Sequence, residues 1–129
     1  MTETEALLVD GRAQVKQALE SAPCDVAFQV RQRYPINRAE GVVVTYSEFS
    51  NISTDCPVVD QLVYQVDIWA FDRETVWTVA QAVNRAMLGM GLRRSYTGQD
   101  TVMGDSSGYL RKTYRFGRKV DKRTMRLVD

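Results

Sequence analysis

The residues of this chain that could do chemistry are its carboxylates, its lysines and arginines and two cysteines, because it contains no histidine. Histidine is the side chain that most often moves protons near neutral pH and most often binds transition metals. Its absence excludes Ser–His and Cys–His catalysis and every histidine-containing metal site. Carboxylates and lysines are therefore the remaining groups for acid and base catalysis.

The carboxylates follow no spacing that is typical of a catalytic or metal site. Asp55, Asp60 and Asp67 lie near one turn and one strand, but they do not form a calcium-binding loop. Nothing in the sequence places Glu48 and Glu74 together as a catalytic pair. We therefore predict that the protein is not an enzyme, and that it has no catalytic residue, metal site or cofactor.

The cysteines and two glycines also favour structural roles. Cys24 and Cys56 lack Cys-x-x-Cys spacing, which favours two reduced thiols, although the sequence leaves a pairing between them open. Gly89 and Gly91 come at the end of a predicted helix, whereas glycine loops that bind phosphate precede a helix. We therefore expect the two glycines to end that helix.

Charge is divided unevenly along the chain. Residues 1–90 carry 7 basic and 12 acidic side chains, and residues 91–129 carry 10 basic and 4 acidic ones. The resulting net charges of −5 and +6 predict either a polyanionic partner or copies that meet acidic side to basic side. The alternative is a basic C-terminal strand that only faces solvent.

The clearest element is a strand followed by a helix between residues 62 and 91. Every second residue from Leu62 to Ala70 is apolar, which predicts a strand with one buried face. Asp72 suits the N-cap position of the following helix. The apolar residues at helical spacing, which predict the buried stripe of that helix, are Val76, Val79, Ala80, Val83 and Met87.

The opposite face of this strand is mixed and ends in large aromatic side chains. It carries Asp67 and Trp69 and runs into Phe71, while Trp77 lies one position off the buried stripe of the helix. Tryptophan is enriched in interface cores, so we take these four residues as candidates for contacts between subunits. The alternative is that the aromatic residues pack within their own chain and that Asp67 binds a loop or an arginine.

The N-terminal half predicts one helix, one arm and one strand. Thr2 and Glu5 fit a capping box at the start of the helix, and the dipeptide Asp10-Gly11 favours an early break in it. We expect residues 28–40 to be a weak strand or a flexible arm. The β-branched residues that follow predict a strand from residue 42.

Four segments follow the central helix: a strand at 92–103 with a kink at Gly98, a loop at 104–108, a basic strand at 109–120 and a tail at 121–129. Lys112 and Arg118 interrupt the apolar side of the basic strand, which predicts that it lies near a sheet edge. We expect the tail to be flexible, either as a loose end or as an arm that docks on a neighbour.

Strands in consecutive runs predict an α+β fold with a mostly antiparallel sheet. We expect about four strands with two helices packed on one face, in a single domain over residues 1–129. No apolar run reaches the roughly 18 residues of a membrane span, and the acidic N-terminus is unlike a secretory signal. We therefore predict no contact with a membrane.

The basic strand offers a candidate contact for nucleic acid. Arg111 and Arg115 share a predicted strand face with Tyr109, an arrangement that suits phosphate contacts beside an aromatic ring. With Arg118 and Lys119 they are candidates for a DNA channel or for charge complementarity between subunits. No helix-turn-helix, zinc-finger or RNP pattern accompanies them, which disfavours sequence-specific recognition.

Four groups of residues carry a resemblance to a known family. They are Tyr46, Glu48 and Asn51; the strand from Tyr64 to Trp69; Met87, Gly91 and Arg93; and Tyr109, Lys112, Arg115 and Phe116. In this order, over roughly residues 41–120, the chain resembles the tail-terminator and tail-completion (head–tail joining) proteins of long-tailed bacteriophages.

This resemblance implies an α+β protein that assembles as a hexameric ring. The ring sits on the tail tube, stops its growth and forms the surface to which the head joins, while DNA passes through its centre without sequence specificity. The implied partners are further copies of the chain, the tail tube protein, head–tail connector proteins and passing DNA. The implied location is the tail or neck of the virion and, during assembly, the host cytoplasm.

Two other functions stay open at this point. One is another subunit of the phage neck, a connector or head-completion protein. The other is a small nucleic-acid-binding module that uses the basic strand.

Overall fold

The computed structural model describes residues 2–32, 41–99, 101–102 and 109–124. Within these residues the helices are α1 (Glu3–Ala6), α2 (Arg12–Glu20) and α3 (Arg73–Gly89). The strands are β1 (Gln29–Arg31), β2 (Val43–Ser53), β3 (Val59–Ala70), β4 (Arg93–Thr97), β5 (Thr101–Val102) and β6 (Leu110–Asp121).

The strands form one six-stranded sheet in the order β1-β2-β3-β6-β4, with β5 also paired to β6. β1 is parallel to β2, and the other pairs of described strands are antiparallel. The predicted α+β class and the mostly antiparallel sheet are confirmed. The sheet has more strands than predicted, because β1 joins its edge and because the chain divides at Gly98 into β4 and β5.

The core lies between one face of the sheet and the helices α2 and α3. The alternate residues of β3 from Leu62 to Ala70 are 0% exposed, and they pack in one cluster with the predicted stripe of α3. Val15 and Leu19 of α2 complete this cluster. Full burial of each large apolar side chain contributes about 1.5–3 kcal/mol. We call this side of the sheet the helix face; the predicted buried faces of β3 and α3 are confirmed.

The N-terminal helix is capped and interrupted as predicted. Thr2 and Glu5 exchange the reciprocal hydrogen bonds of a capping box at α1. The chain then breaks, and the Gly11 amide before α2 donates to the Tyr64 hydroxyl at 2.8 Å. Burial raises the pKa of the Tyr64 phenol, so this hydroxyl stays protonated and fixes the start of α2 to the sheet.

β6 lies inside the sheet, between β3 on one side and β4 and β5 on the other. The prediction that this strand lies near an edge is therefore wrong. The two cations on its apolar side fit an inner strand, because their long stems follow the helix face while their charged ends find partners. The Lys112 ammonium is 5.9 Å from the centroid of the Tyr114 ring, and Arg118 Nη1 donates to the Met90 carbonyl at 3.5 Å.

The end of β6 is held by a buried ion pair. Lys122 Nζ lies 3.4 Å from Asp60 Oδ1 and donates to the Glu5 carbonyl at 2.7 Å. Both charged side chains are almost fully buried, so the attraction between the two charges has to offset the hydration that each has lost. The first residue after β6 is thereby tied both to β3 and to α1.

Four predicted segments lie wholly or partly outside the described residues, and in the strand predicted at 92–103 these are residues 100 and 103. Of the arm at 28–40, β1 is described and residues 33–40 are not. The loop at 104–108 lies outside entirely, and the tail at 121–129 is described only as far as Thr124.

Candidate functional site

The face of the sheet opposite α2 and α3, which we call the open face, carries most of the side chains predicted to make contacts. Strand alternation places Asp67 and Trp69 of β3 on it, since their neighbours Val66 and Ile68 belong to the helix-face core. In the register between β3 and β6, Trp69 pairs with Arg111. Predicted subunit-contact and DNA-contact residues are therefore direct neighbours.

Asp67 is the centre of a polar network on the open face. Its exposed fraction is only 1%. Oδ1 accepts hydrogen bonds from Arg111 Nε at 3.1 Å and from the Thr113 hydroxyl, and Oδ2 accepts one from Gln65 Nε2 at 3.1 Å. A buried carboxylate requires such donors to offset its lost hydration. Asp67 was predicted to contact another subunit, but these contacts agree with the alternative in which it binds an arginine, because its carboxylate is engaged within its own chain.

Trp69 lies inside the chain at the end of the same face. It is 3% exposed, and its Nε1 donates to the Thr45 hydroxyl at 3.0 Å. Its ring centroid is 5.9 Å from that of Tyr109, whose hydroxyl donates to the Gly41 carbonyl at 2.7 Å. For Trp69, these contacts agree with the alternative in which the aromatic residues pack within their own chain.

Phe71 and Trp77 lie at the surface. They are 44% and 63% exposed, although the Phe71 ring centroid is 4.9 Å from that of Tyr109. Trp77 occupies the outer side of α3, where Leu88, which is three helical turns further along, is 48% exposed. Of the predicted contact residues, these two keep the accessible area that a neighbouring subunit would need.

Arg115 lies against two aromatic rings on the open face. Its guanidinium carbon is 3.8 Å from the Phe49 centroid and 4.5 Å from the Tyr96 centroid. Arg115 Nε also donates to Gln65 Oε1 at 3.2 Å. Each cation–π contact contributes about 0.5–1 kcal/mol at an exposed site. We call Phe49, Tyr96 and Arg115 the arginine–aromatic cluster.

Sequence reasoning missed this cluster because its members come from three strands. Phe49 lies in β2, at a break in the register with β3, and Tyr96 lies in β4. Alternation along a single strand cannot show which residues meet across a sheet, since that depends on register. The only signal available was two aromatic side chains with polar neighbours, Phe49 between Glu48 and Ser50 and Tyr96 between Ser95 and Thr97.

The four cations predicted for a DNA channel do not share one surface. Arg111, Arg115 and Lys119 alternate on the open face of β6. Arg118 belongs to the helix face, where it contacts the end of α3 through the Met90 carbonyl. Arg111 is also paired with a buried carboxylate, which reduces the charge that it offers to a partner.

The acids with lowered pKa values stabilise local turns. Their carboxyl groups accept hydrogen bonds from residues two or three positions further along the chain. In each case these bonds lower the pKa: Asp10 to about 2 through Arg12, Asp121 to about 2 through Arg123, and Asp72 through Thr75. Such pairs hold backbone structure together and carry no catalytic arrangement.

The described residues contain neither a cluster of metal ligands nor a disulfide between their two cysteines. Among them, no group of three or more histidine, cysteine, aspartate or glutamate side chains could hold a metal ion. Cys24 and Cys56 are free thiols. None of the described helices combines the length and apolar character that crossing a membrane requires.

Comparison with known proteins found neither a protein-family model nor a curated protein that matches this chain.

Proposed function

We propose that this chain is a non-enzymatic virion protein, the tail terminator of a long-tailed bacteriophage. In this proposal its copies form a ring, taken to be a hexamer, that caps the tail tube and provides the surface to which the head joins. The observation that carries the proposal is a pair of unlike exposed apolar surfaces, one on each side of the sheet. A closed ring needs such a pair, because each copy meets the next through two different patches.

The first of these surfaces is the outer side of α3. Trp77 and Leu88 lie on it at 63% and 48% exposure, with Gln81 and Asn84 between them at helical spacing. Tryptophan is the residue type most enriched among the energetic centres of protein interfaces. We call this surface the helix patch.

The second surface lies on the open face, around the arginine–aromatic cluster. Phe49 and Tyr96 are 51% and 45% exposed even though both contact Arg115, and Ile52 nearby in β2 is 58% exposed. Aromatic side chains and arginine are typical of interface cores. We call this surface the sheet patch. It shares no residue with the helix patch, so a contact between the two is heterologous.

The charge division and the resemblance support the same proposal. The net charges of −5 for residues 1–90 and +6 for residues 91–129 would favour contacts between unlike parts of neighbouring copies. The resemblance spans roughly residues 41–120, which include β2, β3, α3, β4 and β6. DNA that passes without sequence specificity needs only sparse phosphate contacts, for which Arg111 and Arg115 keep partial exposure.

A connector or head-completion subunit would need the same kind of ring contact. Labelled protein separates the two functions, because a terminator binds tails made without heads, whereas a connector subunit binds heads made without tails. A nucleic-acid-binding module is less supported, because Arg111 is engaged by Asp67.

Light scattering of the purified protein, alone and with tail tubes, tests the proposal. We expect the wild type to assemble on the tubes, and Trp77→Ser to remain folded but fail to assemble. Leu8→Ser is the matched control, since Leu8 is 81% exposed but lies outside both patches. A wild type that stays monomeric with tubes present would overturn the proposal, as would equal assembly by the Trp77 variant.

A further inference from the structure

An open strand edge and a basic cleft lie side by side where β4 begins. β4 ends the sheet, and within the described part of the chain it pairs only with β6. All its residues are exposed. An edge strand of this kind offers one row of backbone donors and acceptors to a further strand.

The cleft beside this edge is lined by cations and by no acidic residue. Its volume is about 550 Å³, and its charged lining residues are Arg93, Arg94, Arg118 and Lys119. Arg93 at the start of β4 and Lys119 near the end of β6 lie on the open face. By contrast, Arg94, which opposes the core residue Phe116, and Arg118 direct their side chains to the helix face. Gly117 opposes Arg93 in the register and adds no side chain to the cleft.

Among the described residues, no carboxylate forms an ion pair with Arg93 or Lys119. Arg94 Nη1 donates to the amide oxygen of Asn84 at 3.3 Å, and Arg118 Nη1 donates to the Met90 carbonyl at 3.5 Å, so both guanidinium groups contact α3 or its C-terminal end. Arg93 and Lys119 are exposed. Like charges that lie close together repel each other, and an anion bound beside them would offset this repulsion.

Two features favour an acidic peptide over nucleic acid as that anion. Single-stranded nucleic acid is commonly bound by aromatic side chains on which its bases stack, and the lining of this cleft contains none. The open backbone edge of β4 is useful only to a partner that has a peptide backbone of its own. A peptide can therefore use both the edge and the cations, whereas DNA can use only the cations.

We propose that β4 and this cleft bind an extended acidic segment of a partner protein. The segment adds to the edge of β4 as a strand, and main-chain hydrogen bonds supply part of the affinity. Alternate side chains of a strand point to one side, so every second residue of the segment directs a carboxylate to the cations. This proposal does not depend on the ring or on a role in phage tails.

Fluorescence polarisation with a labelled peptide tests this inference. The probe is a peptide of about eight residues in which glutamate and valine alternate, a typical length for one strand. We expect it to bind the full chain, and the double variant Arg93→Glu/Lys119→Glu to bind at least about tenfold more weakly. Lys16→Glu/Arg85→Glu is the matched control, because it reverses two exposed cations on α2 and α3 and should leave binding unchanged.

A second pair of probes separates strand addition from simple charge attraction. The same peptide with alternate backbone nitrogens methylated keeps its charges but loses main-chain donors, and we expect its binding to be lost. A short DNA duplex tests the other polyanion. Equal binding of the methylated peptide would overturn the inference. So would tighter binding of the duplex through Arg93 and Lys119, or no binding of the first peptide.

Discussion

At the scale of single residues, three side chains of the open face are held in place by their hydrogen bonds to the buried Asp67 carboxylate. This carboxylate is nearly inaccessible, and it accepts hydrogen bonds from an arginine, a threonine and a glutamine. The carboxylate therefore fixes three neighbouring side chains at once. An acid that stands alone on a mixed strand face in the sequence is thus part of the architecture of the subunit.

Removing this carboxylate should destabilise the protein strongly. We expect Asp67→Ala to lower the free energy of unfolding by about 2–4 kcal/mol, because Arg111 and its neighbours lose their acceptor in a buried site. Urea denaturation measures the change. Glu48→Ala is the control, since Glu48 is exposed and accepts a hydrogen bond from the Asn51 amide. Equal loss in both variants would contradict this account of Asp67.

At the scale of elements, α3 is positioned by its ends as well as by its buried stripe. Asp72 caps the helix by accepting hydrogen bonds from the Thr75 amide at 2.8 Å and hydroxyl at 2.9 Å. Gly91, with φ of +86°, turns the chain out of the helix towards β4. The two ends together hold the helix patch at a fixed place on the subunit.

The N-cap gives the stability of α3 a defined pH dependence. Hydrogen bonds from Thr75 lower the folded pKa of Asp72 below its ordinary value of 3.8. The stabilisation is therefore present above pH 3.8 and is lost as pH falls through the lower folded pKa. Asp72→Asn keeps a capping side chain that does not titrate.

Thermal melts of wild type and Asp72→Asn over a pH series test this dependence. We expect the wild type to have the higher Tm at neutral pH, because the ionised cap also favours the helix N-terminus. The difference in Tm should shrink below about pH 4. Two curves that stay parallel down to about pH 2 would contradict the assignment.

Gly117 in β6 tests how closely the strands pack, and Gly89 at the end of α3 is its matched control. A Cβ built at Gly117 would lie 2.8 Å from the Leu62 carbonyl oxygen, whereas one built at Gly89 would meet nothing within 4 Å. We expect Gly117→Ala to destabilise the protein by about 1–3 kcal/mol through overpacking. Gly89→Ala should stabilise it by about 0.4–1 kcal/mol, because the unfolded chain loses conformational freedom. Denaturant midpoints measure both, and the opposite order would contradict the packing described for β3 and β6.

The elements whose structure depends on local pattern could be predicted from the sequence. The buried faces of β3 and α3, the cap at Asp72 and the break at Gly11 all follow from periodicity or from residues close in the chain. The inner position of β6 and the parallel pairing of β1 depend on distant partners, which no local pattern specifies.

The candidate site, like the fold, could be predicted only where it depends on local pattern. The pairing of Asp67 with an arginine follows from a lone acid on a mixed face. The arginine–aromatic cluster and the burial of Trp69 require the register between strands, because their partners come from other strands of the sheet.

At the scale of the whole molecule, the proposed ring depends on two unlike patches on opposite sides of one sheet. The helix patch is carried by Trp77 and Leu88, and the sheet patch surrounds Arg115. A single patch that matches itself gives a closed dimer, whereas two different patches that match each other give a ring or a filament. The open edge of β4 adds a third surface, which we assign to a different partner.

Electron microscopy of tail tubes, together with the distribution of their lengths, tests whether this chain caps the tube as a ring. Tubes are grown from the tail tube protein of the same phage, with and without the purified chain. We expect ring-shaped density at one end of each tube and an end to growth once the ring is bound. Tubes that keep growing and carry no added density at their ends would contradict this expectation.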